Sequence, residues 1–209
     1  MYDTMRAIIC GHCPTSAITG AWQNVDDIHD NMLYFLENHD EQRIASDFFA
    51  GDARRAFPAF VTNILMRQNP FMLYAGQEYG ERGMDKEGFS GCDGRTTIFD
   101  YWTVGTLHRA FVEGKSTEEE SALERCYSEI MNIAICEKAI ANGVFFDLMY
   151  VNPQLGEKQY AFLRKADKEL LLVVTNFSAE KAYCKINVPE HAFDFLQIPY
   201  DKANAKDLL

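Results

Sequence analysis

The sequence predicts an α/β domain over residues 1–142, followed by an all-β domain over residues 143–209. In the first part, stretches with helical apolar spacing alternate with short, unbroken apolar runs, as in alternating helices and strands. In the second part, short runs of strand-forming residues are separated by polar turns. The chain has 209 residues, 47% of them hydrophobic and 24% charged, so it can bury the core of one or two domains.

The α/β domain contains one strand–helix–strand unit. Met32–Leu36 and Phe71–Ala75 are unbroken apolar runs, which are typical of strands buried on both faces in a parallel sheet. Between them, Ala56–Gln68 has helical apolar spacing and carries Pro58, which fits only in the first turn of a helix. Asn69-Pro70 ends this helix, because a residue before proline is displaced from helical geometry. Further helices are predicted over Tyr2–Cys10, Thr15–His29 and Ser121–Ala141.

One strand–helix–strand unit cannot close a sheet on itself, because two strands leave unpaired backbone groups at both edges. We therefore expect residues 1–142 to be an α/β barrel remnant, formed by the last strands and helices of a barrel whose earlier strands lie outside this sequence. The exposed barrel edges leave self-association into an oligomer open.

The all-β domain is predicted to be a small antiparallel sheet or β-sandwich. Val144–Val151, Gln159–Lys165, Leu170–Asn176 and Tyr183–Val188 are short runs of the residue types that strands favour. Asp167-Lys168 separates the middle two runs and predicts a hairpin turn. A two-layered β-sandwich is the architecture we expect for residues 143–209.

The charge of the chain limits its partners. Twenty basic and 31 acidic side chains give a formal net charge of -11. A surface this acidic repels phosphate backbones and anionic lipids, so we expect no nucleic acid and no membrane among the partners, whereas a neutral sugar is indifferent to this field. No apolar run approaches the roughly 20 residues that span a bilayer. Met1–Arg6 shows no signal-peptide pattern, and the compartment stays open.

One polar cluster lies at the carboxyl end of a predicted strand. Asn38, His39 and Asp40 come soon after the run Met32–Leu36, and in parallel α/β folds this end of the sheet holds ligands and catalytic groups. An amide, an imidazole and a carboxylate can together bind vicinal sugar hydroxyls, and the carboxylate favours an oxocarbenium-like transition state. Taken alone, the cluster is more typical of a polar strand end whose side chains satisfy loop backbone groups.

Four segments, taken in chain order, carry a family resemblance. Phe35–Asp40 resembles the fourth signature region of the alpha-amylase family of glycoside hydrolases, at the end of barrel strand seven. Asn69-Pro70 with Leu73–Gly80 resembles strand eight and the start of the following loop. Asp93–Trp102 resembles a segment after this strand in many bacterial amylases. Tyr160–Lys165 with Leu171–Phe177 resembles the β-sandwich that follows the barrel. The resemblance covers nearly the whole chain.

The resemblance implies a sugar site. Asp40 would be the transition-state-stabilising aspartate, and Asn38 and His39 would bind hydroxyls of the reacting sugar. Tyr101 and Trp102 would stack on sugar rings, with packing in the core or loop as the open alternative for these aromatics. The resemblance implies no metal ligand and no cofactor in this chain, and it places the calcium site of such enzymes in segments outside it.

The same resemblance implies that this chain alone is inactive. The family cleaves with retention, through a nucleophilic aspartate and an acid/base glutamate on strands four and five, which this sequence lacks. A single carboxylate cannot both attack and protonate. The parent is expected to be a retaining glycoside hydrolase that acts on alpha-1,4-glucans. A non-catalytic carbohydrate-binding or structural module is the alternative.

A thiol–disulfide oxidoreductase is a further alternative, based on Cys10-Gly11-His12-Cys13, whose spacing lets two sulfurs pair. However, that redox motif needs a tryptophan and a strand before its first cysteine, whereas here Ile9 precedes Cys10 in a predicted helix and Pro14 follows Cys13. The sequence has no second Cys/His pair at a spacing that suits zinc. The six cysteines are also too sparse for a disulfide-stapled domain.

Overall fold

The computed structural model describes residues 1–86, 91–199 and 205–209. In these ranges the helices are α1 (Tyr2–Ile9), α2 (Ala17–Gln23), α3 (Phe57–Met66), α4 (Gly105–Leu107, continued by a π-helical turn over His108–Glu113), α5 (Glu118–Cys136), α6 (Lys138–Ala141) and α7 (Glu190–Leu196). The strands are β1 (Tyr34–Phe35), β2 (Phe71–Met72), β3 (Val144–Asp147), β4 (Gln159–Ala166) and β5 (Glu169–Asn176). None of the helices in the described part of the chain has the length and apolar content to cross a membrane.

The predicted strand–helix–strand unit is confirmed. Strands β1 and β2 pair in parallel, with Tyr34 opposite Phe71, and α3 connects them. Each strand has two residues where five were predicted. Burial along the predicted run is uneven, because Tyr34 and Leu36 are buried whereas Leu33, which precedes β1, is 49% exposed. In the described ranges β1 and β2 are the only strands of this sheet, so each has an edge without a strand partner.

The four predicted helices are present in position and differ in extent, whereas α4 was not predicted. Helix α3 begins at Phe57 with Pro58 in its first turn and ends at Met66, as the proline rules require. Helix α2 ends at Gln23 instead of His29, because Asn24 and the aspartates after it are poor helix formers.

A reciprocal cap starts the longest helix, α5. The Thr117 hydroxyl accepts the Glu120 N–H, and the Glu120 carboxylate accepts the Thr117 N–H, which satisfies two amides without helical partners. The predicted helix breaks at Glu137. Helix α6 then begins anew, and the Glu169 side chain accepts the N–H of Ala139.

The second part of the chain forms a three-stranded antiparallel sheet in the order β3-β4-β5. The hairpin between β4 and β5 is confirmed, and Asp167 at its turn takes a left-handed conformation with φ 47°. Strand β3 ends at Asp147, earlier than predicted, because the Asp147 side chain accepts the N–H of Met149 and turns the chain into a short 3-10 helix over Met149–Val151. Helices α3 and α6 pack against this sheet.

The strand predicted over Tyr183–Val188 is wrong. Two side chains hold this segment in place of a neighbouring strand. Asn152 donates to the Asn187 carbonyl and accepts its N–H, at 2.8 and 2.7 Å, and Gln154 donates to the Lys185 carbonyl at 3.1 Å. Helix α7, which was not predicted, follows directly. The described ranges therefore contain one antiparallel sheet in this part, without a second sheet stacked on it.

One hydrophobic core joins the residues before and after position 142. Met5, Phe60 and Phe162 belong to the same buried cluster. Buried Arg164 crosses between the two parts, donating to the carbonyls of Met66, Ala139 and Ile140 at the ends of α3 and α6. Burial, together with the charge of nearby Arg67, lowers the Arg164 pKa to about 10. The domain boundary at residue 142 stays a prediction.

Candidate active site

The predicted polar cluster lies where β1 and β2 end. Residues 36–40 leave the carboxyl end of β1, and residues 73–76 leave the carboxyl end of β2. Because the two strands are parallel, both segments emerge at the same edge of the sheet. This edge is where side chains from separate loops can converge on one ligand.

Asn38 builds the turn that displays its neighbours. Its side-chain oxygen accepts the N–H groups of Asp40 and Glu41, each at 2.9 Å, which is the backbone-satisfying role weighed for it from the sequence. The side chains of His39 and Asp40 are 51% and 77% exposed, with His39 Nε2 3.3 Å from Asp40 Oδ2. The turn therefore presents a carboxylate and an imidazole to solvent side by side, while the Asn38 oxygen is used internally.

A buried ion pair lies beneath this turn. Arg43 Nη1 donates to Glu37 Oε2 at 2.7 Å, and the other carboxylate oxygen, Oε1, accepts the N–H of Ile44 at 2.7 Å. The two charged side chains are 1% and 3% exposed. Burial raises the Glu37 pKa above its ordinary value, and the positive charge and hydrogen bond of Arg43 oppose that rise. Glu37 and Arg43 thus close the loop that carries Asn38, His39 and Asp40.

Arg43 also ties this loop to the segment after β2. Its guanidinium donates to the Ala75 carbonyl at 2.8 Å and to the Thr96 hydroxyl through Nε at 3.0 Å and Nη2 at 2.6 Å. Its charged carbon lies 4.1 Å from the centre of the Tyr74 ring, within the range of a cation–π contact. Arg43 therefore holds three separate segments together at the carboxyl edge of the sheet.

Helix α1 braces the same turn from outside. Arg6 donates to Glu41 at 3.2 Å and to Gln42 at 2.7 Å, and the Tyr2 hydroxyl donates to Glu41 at 3.0 Å. The Tyr2 ring stacks on Phe35 of β1 at 5.1 Å. Burial raises the Tyr2 pKa to about 12, so this hydroxyl is a donor at neutral pH.

The loop after β2 is fixed by its own carboxylates. Glu78 accepts the N–H of Gly76 at 3.0 Å. Glu81 accepts the hydroxyl of Thr106 at 2.6 Å and the N–H of Gly83 at 2.9 Å. Burial alone would raise the Glu81 pKa, but these hydrogen bonds and the charge of Arg43 outweigh it, and the pKa is lowered.

The predicted aromatic residues lie on the surface of the following segment. Tyr101 is 59% exposed and stacks on Phe99, with ring centres 5.8 Å apart and an interplanar angle of 15°, while Trp102 is partly buried. Among the hydrogen bonds, ion pairs and ring contacts of the described residues, none joins Tyr101 or Trp102 to His39 or Asp40. Their role in sugar binding stays a prediction, as do the roles of Asn38, His39 and Asp40.

Sequence reasoning missed the residues that organise this site. Glu37 and Arg43 carry no pattern of their own, and the one available signal was a charged pair flanked by apolar residues, Leu36 and Ile44. The contribution of Thr96 depends on a contact across 53 residues of chain.

The cysteine pair does not have the geometry of an activated redox site. Cys10 lies at the carboxyl end of α1, whereas thiolates are stabilised at the amino ends of helices. Burial raises the Cys13 pKa, which disfavours its thiolate. In residues 1–86, 91–199 and 205–209, no group of three His, Cys, Asp or Glu side chains is placed to hold a metal ion.

Comparisons with solved structures find enzymes of the alpha-amylase family. Similarity extends to a noncanonic maltogenic alpha-amylase AmyB from Thermotoga neapolitana, at TM-score 0.53 and 19% identity over 84% of this chain and 36% of that one. It also extends to AmyP in complex with maltose, at TM-score 0.57 and 17% identity over 86% of this chain and 38% of that one. CldA, a cyclomaltodextrin glucanotransferase with three domains, is similar at TM-score 0.54 and 15% identity, over 84% of this chain and 31% of that one.

These comparisons establish fold and extent. The chain has an amylase-like fold and spans about a third of the length of the solved structures that it matches. No family model and no curated protein sequence matches it.

Proposed function

We propose that this chain is the C-terminal part of an alpha-amylase-like retaining glycoside hydrolase that acts on alpha-1,4-glucans. In this proposal residues 1–142 complete a catalytic barrel, and residues 143–209, with their three-stranded antiparallel sheet, form part of the β-domain that follows it. The observation that carries it is the exposed His39–Asp40 pair at the carboxyl end of a parallel strand. Structures of similar fold were determined with maltose and with maltotriose, which supports an oligosaccharide of this type as ligand.

In the proposed site, Asp40 stabilises positive charge that develops on the sugar ring. Its carboxylate is more than three-quarters exposed, so it can approach a ligand. His39 binds a sugar hydroxyl, and Asn38 keeps both side chains oriented through its turn. The buried Glu37–Arg43 pair limits movement of the turn and thereby preserves this geometry for a ligand.

The carboxylates that flank Asp40 are already committed to other contacts. Both oxygens of Glu37 accept hydrogen bonds in a buried site, from Arg43 and from the Ile44 amide. Glu41 accepts from Tyr2 and Arg6. A retaining glycosidase needs two free carboxyl groups about 5–5.5 Å apart across the scissile bond. We therefore propose that the nucleophile and the acid/base come from residues outside this sequence, and that this chain alone binds without cleaving.

Binding and cleavage are tested separately. Calorimetry with maltotriose is expected to detect weak binding, and Asp40→Ala is expected to weaken binding at this site at least about tenfold, because hydrogen bonds to a charged group contribute about 1.5–3 kcal/mol. Asp47→Ala is a matched control, since the Asp47 side chain is 62% exposed and pairs with Arg82 on the surface. Reducing-sugar release from starch by the purified chain would contradict the assignment of the missing groups.

The alternative of a non-catalytic carbohydrate-binding module predicts the same binding with a different dependence. The exposed stacked rings of Phe99 and Tyr101 favour it, because aromatic faces bind sugar rings without catalytic groups. If Tyr101→Ala abolishes maltotriose binding while Asp40→Ala leaves it unchanged, the binding-module interpretation replaces the catalytic one.

A further inference from the structure

A groove lies at the amino ends of the parallel strands β1 and β2, away from the candidate active site at their carboxyl ends. It is called the second groove below. It has a volume of about 670 Å³, and α2, the end of α3, β3 and α7 line it. His29 and Arg67 are among its lining residues and precede β1 and β2, whereas the His39–Asp40 pair follows β1. The groove is therefore separate from the proposed active site, and its size falls within the range of small-molecule sites.

One group of lining residues is a set of aromatic rings with exposed area. The ring of Phe146 lies 6.2 Å from Tyr150, 5.7 Å from His191 and 5.8 Å from Phe195. Tyr150 is 57% exposed and Phe195 62% exposed, although both are large side chains that usually bury more of their surface. The Tyr150 hydroxyl lies 2.5 Å from His191 Nε2, which holds the two rings in a fixed relation.

A second group of lining residues surrounds a fixed tryptophan. Trp22 Nε1 donates to Asp147 Oδ2 at 3.0 Å and to the Tyr160 hydroxyl at 3.2 Å. The guanidinium of Arg67 lies 5.0 Å from the centre of the Trp22 ring and 4.6 Å from that of Phe145. These contacts set the position of the indole before any ligand binds, so binding does not have to order it.

Polar side chains also line the groove. Gln23, Asp26 and Gln68 line the groove and are exposed. Arg67 has five N–H donors and, within the described ranges, uses one on Asp26, at 2.6 Å. The charges balance, because the lining includes two carboxylates and two guanidiniums, those of Asp26, Asp147, Arg67 and Arg164.

We propose that this groove is a second binding site for a neutral oligosaccharide. Apolar ring faces beside amide, carboxylate and guanidinium groups match a sugar, whose ring presents an apolar C–H face and a rim of hydroxyls that donate and accept. A net anion or cation gains little from a lining whose charges cancel. The choice of ligand class rests on the proposed function of the chain, whereas the position of the site does not.

The two tryptophans of the chain allow the two sites to be observed separately, because Trp22 lies in the groove and Trp102 lies in the segment assigned to the proposed active site. In a Trp102→Phe chain, all indole emission comes from Trp22. Titration of this chain with maltotriose is expected to change the emission in a saturable manner. Tyr150→Ala and Phe195→Ala, made separately in this background, are each expected to weaken binding about three- to tenfold, as the loss of an aromatic contact does.

Two controls accompany this titration. Tyr183→Ala removes a fully exposed tyrosine that does not line the groove, and it is expected to leave the Trp22 response unchanged. Asp40→Ala is also expected to leave it unchanged. In a Trp22→Phe chain, by contrast, the remaining Trp102 reports the proposed active site, where Asp40→Ala is expected to weaken the response.

The outcomes separate the two proposals. Absence of a saturable Trp22 response at millimolar maltotriose would overturn the groove proposal, whatever the Trp102 chain shows. A Trp22 response that Asp40→Ala removes, or that both Tyr150→Ala and Phe195→Ala leave intact, would also overturn it. A Trp22 response that weakens with Tyr150→Ala or Phe195→Ala would support the groove, even if the Trp102 chain showed no binding and the proposed active site failed.

Discussion

Replacing Arg43 by methionine should be the most damaging single change at the candidate active site. The substitution leaves the Glu37 carboxylate buried without its charge partner, and it removes donors from Thr96 and from the Ala75 carbonyl. Removal of one partner of a buried ion pair costs about 3–5 kcal/mol, so we expect Arg43→Met to lower the free energy of unfolding by about 4 kcal/mol. Urea unfolding followed by tryptophan fluorescence measures this difference.

A double variant shows whether the unpaired charge is the cause. Glu37→Met in the Arg43→Met background removes the buried carboxylate as well, so about 2 kcal/mol should be recovered. Recovery is incomplete, because the Ile44 amide and the Ala75 carbonyl still lack partners. Arg82→Met is the matched control, since Arg82 pairs with Asp47 on the surface, where such pairs contribute up to about 1 kcal/mol.

The dependence on pH gives the same prediction a second check. A carboxyl group whose pKa is raised by folding contributes stability below its unfolded pKa, near 4.3, and loses it as the pH rises through the folded value. Without Arg43, the Glu37 pKa rises further, so the carboxyl group of the variant is more readily protonated at pH 4 and no longer carries a buried, unpaired charge. The loss in free energy of unfolding caused by Arg43→Met should therefore be smaller at pH 4 than at pH 7 by about 1 kcal/mol or more. A loss in unfolding free energy for Arg43→Met that is no larger than the loss for Arg82→Met would refute the reasoning. A loss that is no smaller at pH 4 than at pH 7 would refute it as well.

Three further changes test the supports around the site. Thr106→Val removes a hydrogen bond to Glu81, whose pKa is lowered in the folded protein. A carboxyl group with a lowered pKa stabilises the fold above its unfolded pKa, near 4.3, and this stabilisation is lost as the pH falls through the folded pKa. Thr106→Val should therefore lower the free energy of unfolding by about 1.5 kcal/mol at pH 7, and by less at pH 3, in urea unfolding. Thr117→Ala removes the cap of α5 and should cost about 1 kcal/mol in thermal unfolding. Asn152→Ala releases the segment over residues 183–188, so amide hydrogen exchange at Asn187 should accelerate at least about tenfold.

Each of these changes has a control in the same chain. Thr103→Val alters an exposed threonine, Ser121→Ala alters a residue one turn inside α5, and Asn24→Ala alters an exposed asparagine. A pH-independent cost for Thr106→Val would contradict the role given to Glu81. Equal losses of stability for Thr117→Ala and Ser121→Ala would contradict the role of Thr117 as the cap of α5. Unchanged amide exchange at Asn187 in Asn152→Ala would contradict the anchoring role of Asn152.

The contacts of Arg43 explain how the loop that carries His39 and Asp40 is held in place. Arg43 satisfies the buried carboxylate of Glu37 and connects both strand ends from within the chain itself. The His39–Asp40 pair needs no neighbour, because solvent satisfies it.

Local features were predictable because their causes lie within a few residues. The helical spacing of α3 and the place of Pro58 in its first turn, the hairpin at Asp167, and the parallel pairing of β1 with β2 all follow from the sequence. The cluster of Asn38, His39 and Asp40 could be placed at a strand end for the same reason. Its position at the open edge of a parallel sheet makes it a candidate site.

Only the tertiary structure decided the rest, because the partners are far apart in the chain. The segment over residues 183–188 has the composition of a strand, but side chains about 35 residues earlier hold it as a loop. The contact of Arg43 with Thr96 spans 53 residues, and that of Trp22 with Asp147 spans 125. The periodicity of a sequence carries no information at these separations. The contacts that hold the candidate active site, and the second groove, therefore form only when the chain is folded.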